Sequence, residues 1–179
     1  MKTITRTMTT ALLALLLVGQ AWATNPPDEK DALVADWERA KAFTLEYIDA
    51  MTDDGFFKAP TEGIRTFAAQ MLHLVDGNAG IVSLGTGAQS PYTSRVEQDK
   101  SLDTKAKVRA VVVQSYDFAI EAIKNFDMSK SNEMVEAFGQ SLPRMEWIKK
   151  AFEHQTHHRG QATIYLRMQG IKPPPEKLF

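Results

Sequence analysis

Cysteine is absent from the 179 residues, which removes thiolate metal ligands, a thiol nucleophile and disulfides together. Any metal ion would have to be held by histidine, carboxylate or water, and stability must come from packing. Long apolar runs are missing too. The run at 11–18 has 8 residues, far short of the roughly 20 that a spanning helix needs, so no stable membrane anchor is expected. Without a cysteine at a lipobox position, a lipid anchor on a processed cysteine is excluded. Basic charge is not in excess, with 21 Lys+Arg against 22 Asp+Glu. There is no basic stripe and no regular spacing of stacking aromatics, so nucleic acid is not an expected partner. Strand-like alternation is scarce and no internal repeat appears.

What is present begins with a processing signal. Lys2 and Arg6 give a positive start, residues 11–18 an apolar core, and Ala21-Trp22-Ala23 a small-residue cleavage site. This pattern predicts a secretory signal peptide over 1–23, and hence export, to the periplasm in a Gram-negative cell. The remainder, 24–179, is one domain's worth of chain, enough for a single core.

Helical periodicity dominates that domain. Leu33, Trp37, Ala40, Thr44, Ile48 and Met51 recur at steps of three and four, predicting a first helix over about 29–51 with Asp28 or Asp31 as its cap. Asp53-Asp54-Gly55 reads as its stop and 56–63 as a loop. A second helix is expected over about 64–84, with Ile64, Phe67, Met71, Leu74, Val75, Asn78 and Ile81 on one stripe. The aperiodic stretch 85–99 is too long for a tight helix-to-helix turn and predicts a crossover. A third helix follows over about 104–126, capped by Asp103. A short helix is expected over about 132–138, ended by Gly139. A fourth long helix runs over about 143–169, stopped by Gly170 and Pro173-Pro174-Pro175. The fold class is therefore an all-α four-helix bundle with a long crossover between helices 2 and 3.

Three of the four histidines fall in Phe152-Glu153-His154-Gln155-Thr156-His157-His158-Arg159-Gly160-Gln161. His154 and His158 are one turn apart and point the same way. The inward stripe of the last helix reads Ile148, Ala151, His154, His158, Ala162 and Tyr165, so two imidazoles interrupt an apolar face. Burying them costs free energy unless their nitrogens have partners, and one ion would satisfy both. A pair alone makes half a site. His73 lies off the main stripe of the second helix, in line with Thr66, Ala69, Gln70, Gly77 and Gly80. That face could meet a neighbouring helix, but periodicity alone slightly favours His73 facing water.

The run from His154 through His158-Arg159-Gly160-Gln161 to Pro173-Pro174 resembles the closing motif of the DinB-like (DinB/YfiT-like) metalloenzymes. Pro60-Thr61-Glu62-Gly63-Ile64-Arg65-Thr66-Phe67 with Met71-Leu72-His73-Leu74 is similar to the entry to that family's second helix. The resemblance implies an up-down-down-up bundle and a divalent metal ion held by three histidines, which fall here on His73, His154 and His158. His157, three residues from His154, is the competing ligand and reads better as a hydrogen-bonding neighbour. Arg159 and Gln161 read as second-sphere or helix-packing groups, and Asp76 and Glu153 as candidate acceptors for the outer imidazole nitrogens. Zinc or nickel is the expected ion, although imidazole suits copper and iron as well.

Three imidazoles around such an ion leave a position for water or substrate. The resemblance therefore implies a metal-dependent transferase or hydrolase acting on a small molecule, with a low-molecular-weight thiol as one candidate. No glutamate follows the first histidine, so no general base can be named. The alternative is a non-enzymatic exported bundle in which the ion only staples two helices. A homodimer is compatible with either.

Overall fold

The structure is a computed structural model that describes residues 28–179; the signal peptide expected over 1–23 and the expected linker to Pro27 lie outside the described residues. Four long helices form the body: α1 (Glu29–Ala50), α3 (Phe67–Thr86), α4 (Lys105–Lys124) and α5 (Arg144–Met168). A one-turn helix, α2 (Asp53–Phe56), follows α1, and a hairpin of β1 (Met134–Ala137) and β2 (Gln140–Pro143) precedes α5. No described helix is long and apolar enough to cross a membrane.

Side-chain pairs fix the direction of each helix. From α1 to α4 the ion pairs Glu38–Lys124, Lys41–Asp117 and Asp49–Arg109 run in opposite order, so these helices are antiparallel. Between α1 and α5 the order is shared: Trp37 meets Phe152, Phe43 meets Arg159, and Tyr47 meets Thr163. From α3 to α5 it reverses again, Phe67 packing on Tyr165 and Gln70 reaching His158. The bundle is thus up-down-down-up. Because α3 and α4 are parallel, the chain must travel the length of the bundle between them. It does so through residues 87–104, and a 3-10 turn in that crossover, Val96–Gln98, buries Val96.

The helix starts follow local chemistry. Asp28 caps α1 through Lys30 N–H, and Thr66 caps α3 through Ala69 N–H at 3.0 Å. That cap moves the start of α3 from Ile64 to Phe67 and leaves Ile64 exposed. Thr104, rather than Asp103, caps α4, its hydroxyl accepting from Lys107 N–H, while Asp103 pairs with the Lys107 ammonium. After α1 the stop at Asp53-Asp54-Gly55 itself winds into α2, capped by Thr52, and buries Phe56 beside Phe67.

The short helix expected over 132–138 is not formed. A helix of two turns has little intrinsic stability, and Phe138 (φ 52°) and Gly139 (φ 72°) instead make the two-residue left-handed turn that closes a hairpin. Val135 pairs with Leu142 across it. Trp147 Nε1 of α5 donates to Val135 O at 3.0 Å, tying the hairpin to the helix it precedes.

Candidate metal centre

The ambiguity over the second face of α3 is resolved by what α5 packs against. Gln70 and Gly77 are buried along with the apolar stripe, so α3 presents both faces inward. Gly77 lies directly against the His154 ring of α5. A Cβ there would stand 2.2 Å from both Nδ1 and Cε1 of His154, so only glycine leaves room for that ring.

This approach brings His73 of α3 against His154 and His158 of α5. Ring centroids are 4.3 Å apart for His154 and His158, 4.5 Å for His73 and His158, and 5.2 Å for His73 and His154. One ring nitrogen from each lies within 4.8 Å of the others. Among the described residues no fourth histidine or carboxylate joins them. His157 is exposed, and its Nε2 meets the Gln161 amide at 3.0 Å, so it stands beside the group as a hydrogen-bonding neighbour.

The outer nitrogens are held. Glu97 Oε2 lies 3.1 Å from His73 Nδ1. A carboxylate can only accept, and it is closer to that nitrogen than the Arg65 guanidinium at 3.4 Å, which can only donate; the shorter contact favours the proton on Nδ1 and the lone pair on Nε2. Gln161 Oε1 and the Gln70 amide lie 3.1 and 2.8 Å from His158 Nδ1. The Gln161 oxygen can only accept and the Gln70 nitrogen only donate, so Nδ1 either donates to Gln161, which leaves the lone pair at Nε2, or accepts from Gln70. His154 differs: its Nδ1 is buried with no hydrogen-bond partner. Arg65 Nε donates to Glu97 Oε1 at 2.6 Å, and Arg95 reaches Oε2 at 3.0 Å.

Electrostatics favour uncharged rings at two of the three positions. Burial, reinforced by neighbouring imidazoles, pushes the pKa of both His154 and His158 down to about 4. Burial pushes Glu97 up, but hydrogen bonding and charge from Arg65, then from His73, outweigh it and hold the carboxyl below its ordinary value. Converging imidazoles, two of them favoured uncharged, with a buried orphan nitrogen form a donor set that suits a divalent transition-metal ion.

Of the other candidates, Arg159 faces elsewhere: it is buried over Phe43 and donates to Gln155 Oε1 at 2.6 Å, within the packing of α1, α4 and α5. Glu153 pairs with Lys150. Asp76 accepts backbone N–H groups of the crossover rather than an imidazole proton. Sequence reasoning missed Glu97, an acidic residue in an aperiodic stretch with no signal to mark it. Gln70 did have a signal, since it shares the face of His73.

Beside the triad opens a cleft of about 690 Å³. Gln70, Glu97 and Gln161 form its wall toward the histidines, and Pro60, Ile64, Ile164 and Tyr165 give it an apolar side. A DinB family model matches residues 24–178. The chain belongs to the DinB family. Bacillus subtilis YrdA is 25% identical over 151 residues, covering 80% of this chain and 85% of YrdA. A DinB-like protein of Bacillus cereus superposes with a TM-score of 0.71 at 19% identity, covering 82% of this chain and 97% of that one. Bacillus subtilis YfiT, described as a probable metal-dependent hydrolase with an unusual four-helix bundle topology, gives 0.63 at 15% identity, covering 86% and 94%. At such identities these structures support the fold.

Proposed function

We propose that this DinB protein is an exported metal-dependent hydrolase of a small molecule, with a divalent ion, zinc or nickel, held by His73, His154 and His158. The observation that carries the reading is the convergence of three imidazoles from two helices, with no fourth protein ligand among the described residues. A structural site is normally closed by four protein ligands, whereas a catalytic one keeps an exchangeable position. The description of YfiT supports hydrolysis over thiol transfer as the class of reaction.

When bound, such an ion supplies Lewis-acid chemistry toward water or a carbonyl oxygen. The chain's own residues do the rest. With an ion held by the opposite nitrogens, Glu97 and Gln161 are the acceptors placed to take Nδ1–H of His73 and His158. Ile64, Ile164 and Pro60 offer apolar contact to the substrate body and exclude water from that side of the cleft. Tyr165 keeps the cleft floor in place by donating its hydroxyl to Arg65 O at 2.9 Å.

The test is metal analysis of the mature protein purified without a histidine tag. About one ion per chain is expected, and none at stoichiometric level in His154→Ala or His158→Ala. Full occupancy in both variants would remove the assignment. In a cobalt-substituted sample, added anions should shift the visible spectrum, and an unchanged spectrum would indicate a closed, structural site.

A further inference from the structure

Asp76 has a geometry that the triad does not require. It lies one turn beyond His73 on α3 and is half-buried. Its Oδ1 accepts from Val96 N–H at 2.6 Å and its Oδ2 from Glu97 N–H at 3.2 Å. Both donors open the 3-10 turn of the crossover, where backbone N–H groups have no partner within the turn itself. Asp76 therefore grips the crossover by the backbone of the residue whose side chain accepts the His73 proton. Arg65 holds the other carboxylate oxygen of that residue.

We propose that Asp76 is a positioning residue for the metal centre, acting through the Val96–Gln98 turn and Glu97 to set the tautomer and orientation of His73. The relay starts and ends on α3, three residues apart, so the element that carries the ligand also fixes the loop that orients it. The crossover forced by parallel α3 and α4 thus supplies a second-sphere carboxylate to the site. The inference rests on the metal-binding reading above, but its tautomer arm does not need the ion. Removing a group that orients a ligating imidazole commonly weakens metal affinity 10- to 100-fold, and two groups acting in series should not add.

The experiment measures zinc affinity, by competition with a chelator, for the mature wild type, Asp76→Asn, Glu97→Leu and the double variant. Nitrogen-15 NMR of His73 in the metal-free proteins reports which ring nitrogen carries the proton. Each single variant is expected to lose at least about tenfold in affinity, with the double variant no weaker than Glu97→Leu. His73 should shift away from the Nδ1–H form in both. Folded Asp76→Asn with wild-type affinity and wild-type tautomer would overturn the relay, as would a double-variant loss equal to the product of the single ones. Should Asp76→Asn fail to fold, Glu97→Leu, which leaves no acceptor, decides: an unchanged His73 tautomer sinks the proposal. If the wild type binds neither zinc nor nickel, the metal-dependent reading fails, and the relay stands or falls on the tautomer.

Discussion

Gly77 and His154 face each other across α3 and α5 with no space for a methyl group between them. Gly77→Ala should therefore push the His154 ring off its position. We expect about 1–3 kcal/mol lost in denaturant unfolding, together with weakened zinc binding; unchanged stability and affinity would show that the rings are not so tightly held. The depressed pKa values of His154 and His158 make a second prediction. An unfolded histidine takes up a proton near pH 6.5, whereas these two resist until about 4. Between those limits the unfolded chain binds more protons than the native one, so stability of the metal-free protein rises with pH through that window and falls on acidification. Each ring should contribute on the order of 1–3 kcal/mol to the drop, and the pH slope should shrink in His154→Gln. A flat profile from pH 7 to 4 would contradict the burial of uncharged imidazoles.

At the scale of elements, the long helices were legible because their apolar residues repeat at helical spacing and their cores are continuous: Phe67, Met71, Leu74, Val75 and Asn78 are all buried as that spacing requires. The interrupted stripe of α5 was legible for the same reason. What periodicity could not resolve was whether α3 has one inward face or two, since that depends on how closely α5 approaches. The family resemblance, not the spacing, singled out His73. The segment before α5 misled because a glycine that can end a helix can also close a hairpin. Phe138 takes a positive φ there while 78% exposed, a conformation that asparagine tolerates better. Phe138→Asn should raise stability by about 0.5–1 kcal/mol without altering zinc affinity, as read by thermal unfolding and chelator competition. Destabilisation would mean that the edge contact of Phe138 with Trp147 outweighs the relief of the turn.

For the whole molecule, up-down-down-up topology does two things at once. Antiparallel α3 and α5 set three imidazoles against each other, and the parallel α3–α4 pair forces the crossover that delivers Glu97 to the rim of the same site. The cleft sits beside the triad, between the start of α3, the crossover and the later turns of α5, so ligand and substrate surfaces come from the same elements. X-ray absorption of the zinc-loaded, untagged protein tests this most directly. Three imidazole nitrogens at about 2.0–2.1 Å, completed by oxygen from solvent, is the result expected. A shell of oxygen ligands without imidazole scattering, or one that stays the same in His73→Ala, would contradict a centre built across α3 and α5.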